Sequence, residues 1–329
     1  MSSTSPFKPA WWLNNDHLQT IYPALLRRPE KSPVRRERLP TPDQDFLDLD
    51  FCDAVDGPLV LLLHGLTGGS ASVYILGLQS ALLRKGYSSV ALNFRGCSGV
   101  QNNTSRCYHS GETTDFDFVY QTLRRRYPAK PMAAVGFSLG GNVLLKWLGE
   151  QGDAAGLFAA VSVSVPLLLD KCATRLDKGL SRLYRAVLLA ELKTYVREKQ
   201  RHLLAIGNVK AAETVADLGD LSGIHSFWEY DERVVARLYG FDGAADYYRR
   251  SSSRHFLKLI RTPTLMVQAA DDPFMTADVL PAVDELPECV RLEVTENGGH
   301  VGFIAGNNPL KPVYWLEDRI LSFLAANPG

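Results

Sequence analysis

The sequence predicts an α/β fold, a mostly parallel sheet flanked by helices with a helical insertion between late strands. Three observations predict it. Short apolar runs that end in turn residues recur along the chain, as in LVLLLHG (59–65), SSVALNF (88–94) and AAVGF (133–137), and strands buried on both faces read this way. Stretches of helical period separate these runs, and strands joined by helical crossovers lie parallel. The alternation then stops for roughly 90 residues and resumes near the C-terminus. A chain of 329 residues is long enough for one such domain carrying an inserted subdomain.

Residues 1–45 read as an N-terminal extension packing on the core, Pro-rich and charged over 28–45. VRRERL (34–39) and FLDLDF (46–51) can pair as an edge hairpin across TPDQ (41–44). The apolar–acidic alternation of FLDLDF suits a strand with one wet face. After the first buried strand, a helix is expected over 74–85, with Gly86 at its C-terminal end. The second strand closes on RGCSG, and a helix over 113–126 carries Phe116, Val119, Tyr120 and Leu123 at three- and four-residue spacing. The third strand, a helix over 141–150 and a fourth strand, LFAAVSVSV (157–165), follow.

Residues 167–258 show only helical patterning. There Leu176, Leu180, Leu183, Tyr184, Val187, Leu188 and Leu192 read as one apolar face, assigned to core rather than to a lipid-binding surface. Strands resume at TPTLMVQAADD (262–272) and VRLEVT (290–295), and a helix over 313–326 closes the chain. The core is thus expected from 46–166 and 259–329, with 167–258 as a helical cap.

Composition excludes several functions. Lys+Arg and Asp+Glu both number 36, so the formal net charge is zero and no basic stripe suggests a nucleic-acid partner. Five scattered cysteines without CxxC spacing argue against a disulfide framework or zinc site. The opening MSSTSPFKPAWW lacks the pattern of a signal peptide, and no apolar run approaches a bilayer span of ~18 residues. A cytoplasmic protein is the expectation. No cofactor is implied, since there is neither a metal-ligand cluster nor a G-x-G-x-x-G after the first strand.

The chemistry centres on GFSLG (136–140), a G-x-S-x-G set between a strand and a helix. A serine at such a corner has strained backbone angles. Glycines at 136 and 140 remove Cβ atoms that would collide there, and the helix N-terminus points its N–H groups at developing negative charge. Ser138 needs a base, because its alkoxide is not available at neutral pH. An acid is expected after the next core strand, where Asp271 and Asp272 stand, and a histidine after the last strand, where GGH places His300. Asp272 is preferred because Pro273 biases it to extended backbone. The N–H groups of Leu139 and Leu66 are the expected oxyanion donors. His64 reads as a structural turn residue and Cys97 as a small turn residue. His202, His225 and His255 read as surface or packing residues.

Taken together, HGL (64–66), FRGCSG (94–99), YHSGET (108–113), GFSLGGN (136–142), DDPFM (271–275) and GGHVGF (298–303) resemble the YheT-like branch of the α/β-hydrolase superfamily, also called AB hydrolase family 4. NNDHLQT (14–20) is similar to that family's N-terminal signature, and the matches span nearly the whole chain. The resemblance implies a serine hydrolase with a helical cap and a triad on Ser138, Asp272 and His300. Asn297 departs from relatives that carry histidine there. The resemblance does not explain His17 and His109, which are read as structural.

The resulting expectation is a carboxylic-ester hydrolase acting through an acyl-enzyme on small-molecule ester substrates with apolar acyl groups, lipid esters among them. An acyltransferase or thioesterase uses the same residues. A non-enzymatic binding role is disfavoured because every catalytic residue type is present.

Overall fold

Hydrogen bonding between the apolar runs builds one nine-stranded sheet in a computed structural model that describes residues 3–4, 7–30 and 32–328. In chain order its strands are β1 (Ser3–Thr4), β2 (Arg35–Pro40), β3 (Phe46–Cys52), β4 (Leu59–Leu63), β5 (Ser88–Leu92), β6 (Met132–Phe137), β7 (Ala159–Val163), β8 (Thr264–Ala269) and β9 (Val290–Thr295). Across the sheet they run β2-β3-β5-β4-β6-β7-β8-β9-β1. The β2–β3 and β3–β5 pairs are antiparallel, and every other pair is parallel. Alternate residues of β4 serve opposite faces, as a period of two requires. Leu59, Leu61 and Leu63 join the apolar layer that holds α3 (Thr114–Arg126) and α4 (Leu139–Gln151). Val60 and Leu62 join the layer that holds α2 (Val73–Arg84) and the C-terminal helix, α11 (Trp315–Ala326).

The edge hairpin forms, but its acidic face is dry. Every residue of β3 is buried. Arg36 and Arg38 stand directly across from Asp50 and Asp48 in the register and fork onto their carboxylates at 2.7–2.8 Å. Burial works against both charges, yet the arginine forks, Ser98 on Asp48, and Ser70 and Asn93 on Asp50 outweigh it and hold both carboxyls below their usual range. The wet face expected from alternation is therefore a ladder of cross-strand ion pairs.

Arg95, in FRGCSG, is almost fully buried and donates to Asp115 at 2.7 and 2.8 Å and to Asp45 at 2.9 Å. It ties the end of β5 to the β2–β3 turn and to the start of α3. Removing it leaves buried Asp45 without a cation and buried Asp115 with only Arg106, at 3.7 Å. Arg95→Met is expected to destabilise the fold by about 3–5 kcal/mol, read from denaturant unfolding.

The regular elements described between β7 and β8 are all helical: α5 (Leu169–Arg175), α6 (Ser181–Ala205), α7 (Val209–Ala216), α8 (Phe227–Tyr230), a π turn (Asp231–Val235), α9 (Ala236–Tyr239), α10 (Ala244–Ser251) and a 3-10 segment (Ser253–Leu259). The single apolar face expected over 176–192 is two faces. Leu189, Leu192, Val196 and Leu203 form the buried stripe of α6, whereas Leu183 and Val187 on the same helix, and Leu180 just before it, are exposed. At about 100° per residue the two sets lie on opposite sides of the helix.

Two further elements differ from the sequence reading. The extension contains a helix, α1 (Asp16–Leu26), whose Asn15 cap accepts from the Leu18 N–H at 3.1 Å. The last helix begins at Trp315 rather than 313, because Val313–Tyr314 (β11) pairs with Ile304–Ala305 (β10) in a small hairpin.

Candidate active site

Ser138 occupies the turn between β6 and α4, with φ 50° and ψ −118°. That region is costly for a residue with a side chain. The surrounding glycines explain how it is tolerated. A Cβ on Gly136 would lie 2.5 Å from the Gly140 carbonyl oxygen, and one on Gly140 would meet the His64 and Leu63 carbonyls at 2.5 and 2.6 Å. The helix starts immediately at Leu139, two residues earlier than its apolar period suggests, so Ser138 is the N-cap itself.

The structure brings Ser138, His300 and Asp272 into one hydrogen-bonded chain. His300 Nε2 lies 2.9 Å from Ser138 Oγ, and its Nδ1 lies 2.8 Å from Asp272 Oδ2. An ionised carboxylate only accepts, so Nδ1 carries the ring proton and Nε2 is left to accept from the serine hydroxyl. The other Asp272 oxygen accepts the Phe274 N–H at 2.8 Å, and Phe274 stacks on the imidazole with ring centroids 4.1 Å apart. Asp271 does different work. It accepts the Gly299 N–H at 2.9 Å and so anchors the loop that carries His300.

That loop is clamped by α1, a function the sequence reading did not assign. Thr20 Oγ1 accepts the His300 N–H at 2.9 Å. Buried Gln19 donates to the Leu13 and Ile304 carbonyls, both at 3.0 Å, and accepts the Ile304 N–H at 2.7 Å. The closest approach is at Gly302, where a Cβ would sit 2.2 Å from the Gln19 carbonyl oxygen. From the other side, Ser164 Oγ accepts the Val301 N–H at 3.0 Å. NNDHLQT thus supplies side chains that hold the histidine loop, and the signal was the motif itself.

Leu66 and Leu139 both border the space above Ser138. The N–H groups flanking Leu66 are taken, Gly65 by the Tyr74 hydroxyl and Thr67 by the Tyr108 hydroxyl, each at 2.9 Å. Among the described residues nothing accepts the Leu66 N–H, and Leu139, as the first helical residue, has no intrahelical acceptor. Two backbone donors therefore remain available beside the serine oxygen.

A match to the alpha/beta hydrolase fold model extends over residues 58–306. The YheT protein of Escherichia coli (strain K12) is 40% identical over 327 residues, covering 98% of this chain and 94% of that one. The chain belongs to the α/β-hydrolase family, in its YheT-like branch. Phospholipase ABHD3 of Mus musculus is 31% identical over 96% of this hydrolase and 77% of its own length. Among solved structures, the Pyrococcus furiosus esterase Pf2001 shares the fold with a TM-score of 0.58 at 20% identity, covering 91% of this chain and 92% of that one.

The remaining motif residues of this hydrolase fall into place as supports. His64 is buried; it bonds the Gly65 carbonyl through Nδ1 at 2.7 Å and accepts the Phe94 N–H on Nε2 at 3.1 Å. Burial lowers its pKa to about 4, against the Gly65 carbonyl, so it is neutral. Asn142, one turn past Ser138, donates to the Ser110 and Ser251 carbonyls, both at 2.8 Å, and accepts the Ser253 N–H at 3.0 Å. It ties the serine helix to YHSGET and to the end of the insertion. His109 packs edge-on against Tyr239, Phe241 and Tyr247, and His17 bonds the Tyr184 hydroxyl at 3.0 Å. Both therefore hold the helical insertion. His202 meets Asn103 at 3.3 Å, while His225 and His255 are exposed. Burial pushes the Cys97 thiol up to about 12, far from a reactive thiolate.

A cavity of about 480 Å³ opens at Ser138 and His300. Its walls come from α1, α2 and the insertion, mostly apolar, with Leu169, Leu176, Leu188 and Phe227 among them. One carboxyl group interrupts the insertion's share of the wall. Asp231, in the π turn, accepts the Tyr248 hydroxyl at 2.6 Å. Burial raises its carboxyl to about 7, although the Tyr248 bond works the other way. Between pH 4 and 7 the folded chain keeps a proton there that the unfolded chain releases, so stability falls as pH rises through that window. Asp231→Asn removes this slope. The variant is expected to gain about 2–4 kcal/mol on the wild type between pH 4 and pH 8, measured by denaturant unfolding at both values.

Proposed function

We propose that this α/β hydrolase cleaves carboxylic esters through an acyl-enzyme on Ser138, with apolar acyl chains in the cavity above it. The observation that carries the reading is the unbroken path Ser138 Oγ–His300–Asp272 at 2.9 and 2.8 Å, on a strained corner that opens into an apolar cavity. In the proposed reaction His300 takes the hydroxyl proton as Ser138 attacks the carbonyl carbon, and Asp272 steadies the imidazolium. The N–H groups of Leu66 and Leu139 receive the oxyanion. His300 then protonates the departing alkoxide, and a water activated by the same ring releases the acid. The relative named a phospholipase supports a lipid ester as the substrate class.

A panel of p-nitrophenyl esters of graded chain length tests this, with Ser138→Ala as the control. Medium or long acyl chains are expected to give the highest kcat/KM. Adding an alcohol and analysing products separates hydrolysis from transfer, because a dominant new ester would show that the acyl group passes to the alcohol. Wild-type protein that turns over no ester would sink the proposal.

A further inference from the structure

We propose that the outer faces of α1 and α6 together form a docking platform for an anionic lipid surface at the mouth of the cavity. The inference rests on the esterase reading for its purpose but not for its evidence. Two rows of large apolar side chains stand in solvent: Leu18, Ile21 and Leu25 on α1, and Leu180, Leu183 and Val187 at the start of α6. Each row has the i, i+3, i+7 spacing of one helix face. Exposure is high, 68% for Leu25 and 66% for Leu183. Scattered exposed leucines need no explanation, whereas paired rows on adjoining helices mark an interaction site.

The rows meet at a joint. His17 bonds Tyr184 at 3.0 Å and the two rings stack. Ile21 lies four residues from His17, and Leu180 and Val187 lie four and three residues from Tyr184, so all are neighbours of that contact. From the joint, Tyr184 packs on Phe274, which stacks on His300. The opposite face of α1 lines the cavity through Thr20, Pro23 and Ala24, and α6 lines it through Leu188. The platform and the cavity are thus two sides of the same pair of helices.

Charge selects the occupant. The whole chain has no net charge, yet the stretch between Asp177 and Glu191, KGLSRLYRAVLLA (178–190), carries three cations against those two flanking acids. Arg185 is paired with Asp177, whereas Lys178 and Arg182 are exposed and form no ion pair among the described residues. Exposed leucines flanked by the free cations Lys178 and Arg182, which stand beside the apolar row at the start of α6, fit an anionic membrane interface, where apolar residues enter the acyl boundary and cations meet headgroup phosphates. No described helix is long and apolar enough to cross a membrane, so contact of this kind is peripheral. Docking there would bring a lipid ester to the cavity without passage through water.

The test uses the full chain carrying Ser138→Ala, which separates docking from turnover, and vesicles of mixed phosphatidylglycerol and phosphatidylcholine. Sedimentation with the vesicles is expected. Leu25→Asp combined with Leu183→Asp is expected to weaken it at least about tenfold. Lys178→Glu with Arg182→Glu is expected to abolish the preference for phosphatidylglycerol over pure phosphatidylcholine. With Ser138 intact, the leucine variant should hydrolyse soluble p-nitrophenyl butyrate within about twofold of wild type but lose roughly tenfold on an ester embedded in vesicles. Protein left in the supernatant, or a leucine variant that sediments as well as wild type, overturns the proposal. So does a dimer that the leucine changes dissolve without any vesicle binding, which would assign the face to a second copy of the chain. Vesicle binding without turnover of any ester supports the platform while refuting the esterase reading.

Discussion

Replacing Ser138 with alanine is expected to lower kcat for p-nitrophenyl butyrate by about 10⁵- to 10⁶-fold, with KM nearly unchanged. The size follows from what the change removes. Without Oγ there is no acyl-enzyme, and His300 has no hydroxyl to deprotonate across the present 2.9 Å contact. The two backbone donors at Leu66 and Leu139 and the apolar cavity remain, so binding persists and a residual rate above the uncatalysed reaction survives. Because the residues act as a unit, adding His300→Ala to Ser138→Ala is expected to cost little more. Substitution at a residue with φ 50° leaves the strained corner in place, since alanine carries the same Cβ. Loss of activity is therefore not accompanied by loss of fold, which an unchanged Tm checks. A fluorophosphonate probe should label wild type and leave the alanine variant unlabelled. A variant that keeps more than about a tenth of wild-type turnover would show that another group is the nucleophile.

The sheet and the juxtaposition at its centre were legible because they depend on local signals. Apolar runs bounded by turn residues locate β4 to β9, and the order in which strands are used brings the ends of β6, β8 and β9 together, carrying Ser138, Asp272 and His300. What escaped depends on partners distant in sequence. Asp48 and Asp50 look solvent-facing until β2 supplies arginines directly opposite. Thr20 and Gln19 look like ordinary polar residues of an extension, yet they bond a loop about 280 residues away, at His300 and Ile304. In α6 the periodicity was present, but hydropathy alone cannot say which of two apolar stripes meets protein. Leu189 and Leu192 pack inward while Leu183 and Val187 do not. His17 and His109 contact the insertion, at Tyr184 and at Tyr247, partners that lie far from either motif in sequence.

The neighbouring aspartates give the second large effect and separate two kinds of contribution. Asp272→Asn is expected to reduce kcat by about 10⁴-fold. An asparagine that keeps the packing presents either an amide N–H or a neutral carbonyl to His300 Nδ1, where a carboxylate oxygen now lies at 2.8 Å. The first arrangement forces the proton onto Nε2, which can then no longer accept from Ser138. The second keeps the tautomer but removes the charge that balances the imidazolium. Asp271→Asn is expected to cost no more than about tenfold, because an amide oxygen can still accept the Gly299 N–H. Asp271→Ala should cost more than Asp271→Asn, and the loss should fall on kcat through a displaced His300 loop. The contrast discriminates sharply, since both residues are acidic, adjacent and close to the same loop. Equal losses in the two asparagine variants would mean that the carboxyls act through loop anchoring alone. A larger loss at 271 than at 272 would assign the acid to Asp271 and break the proposed relay.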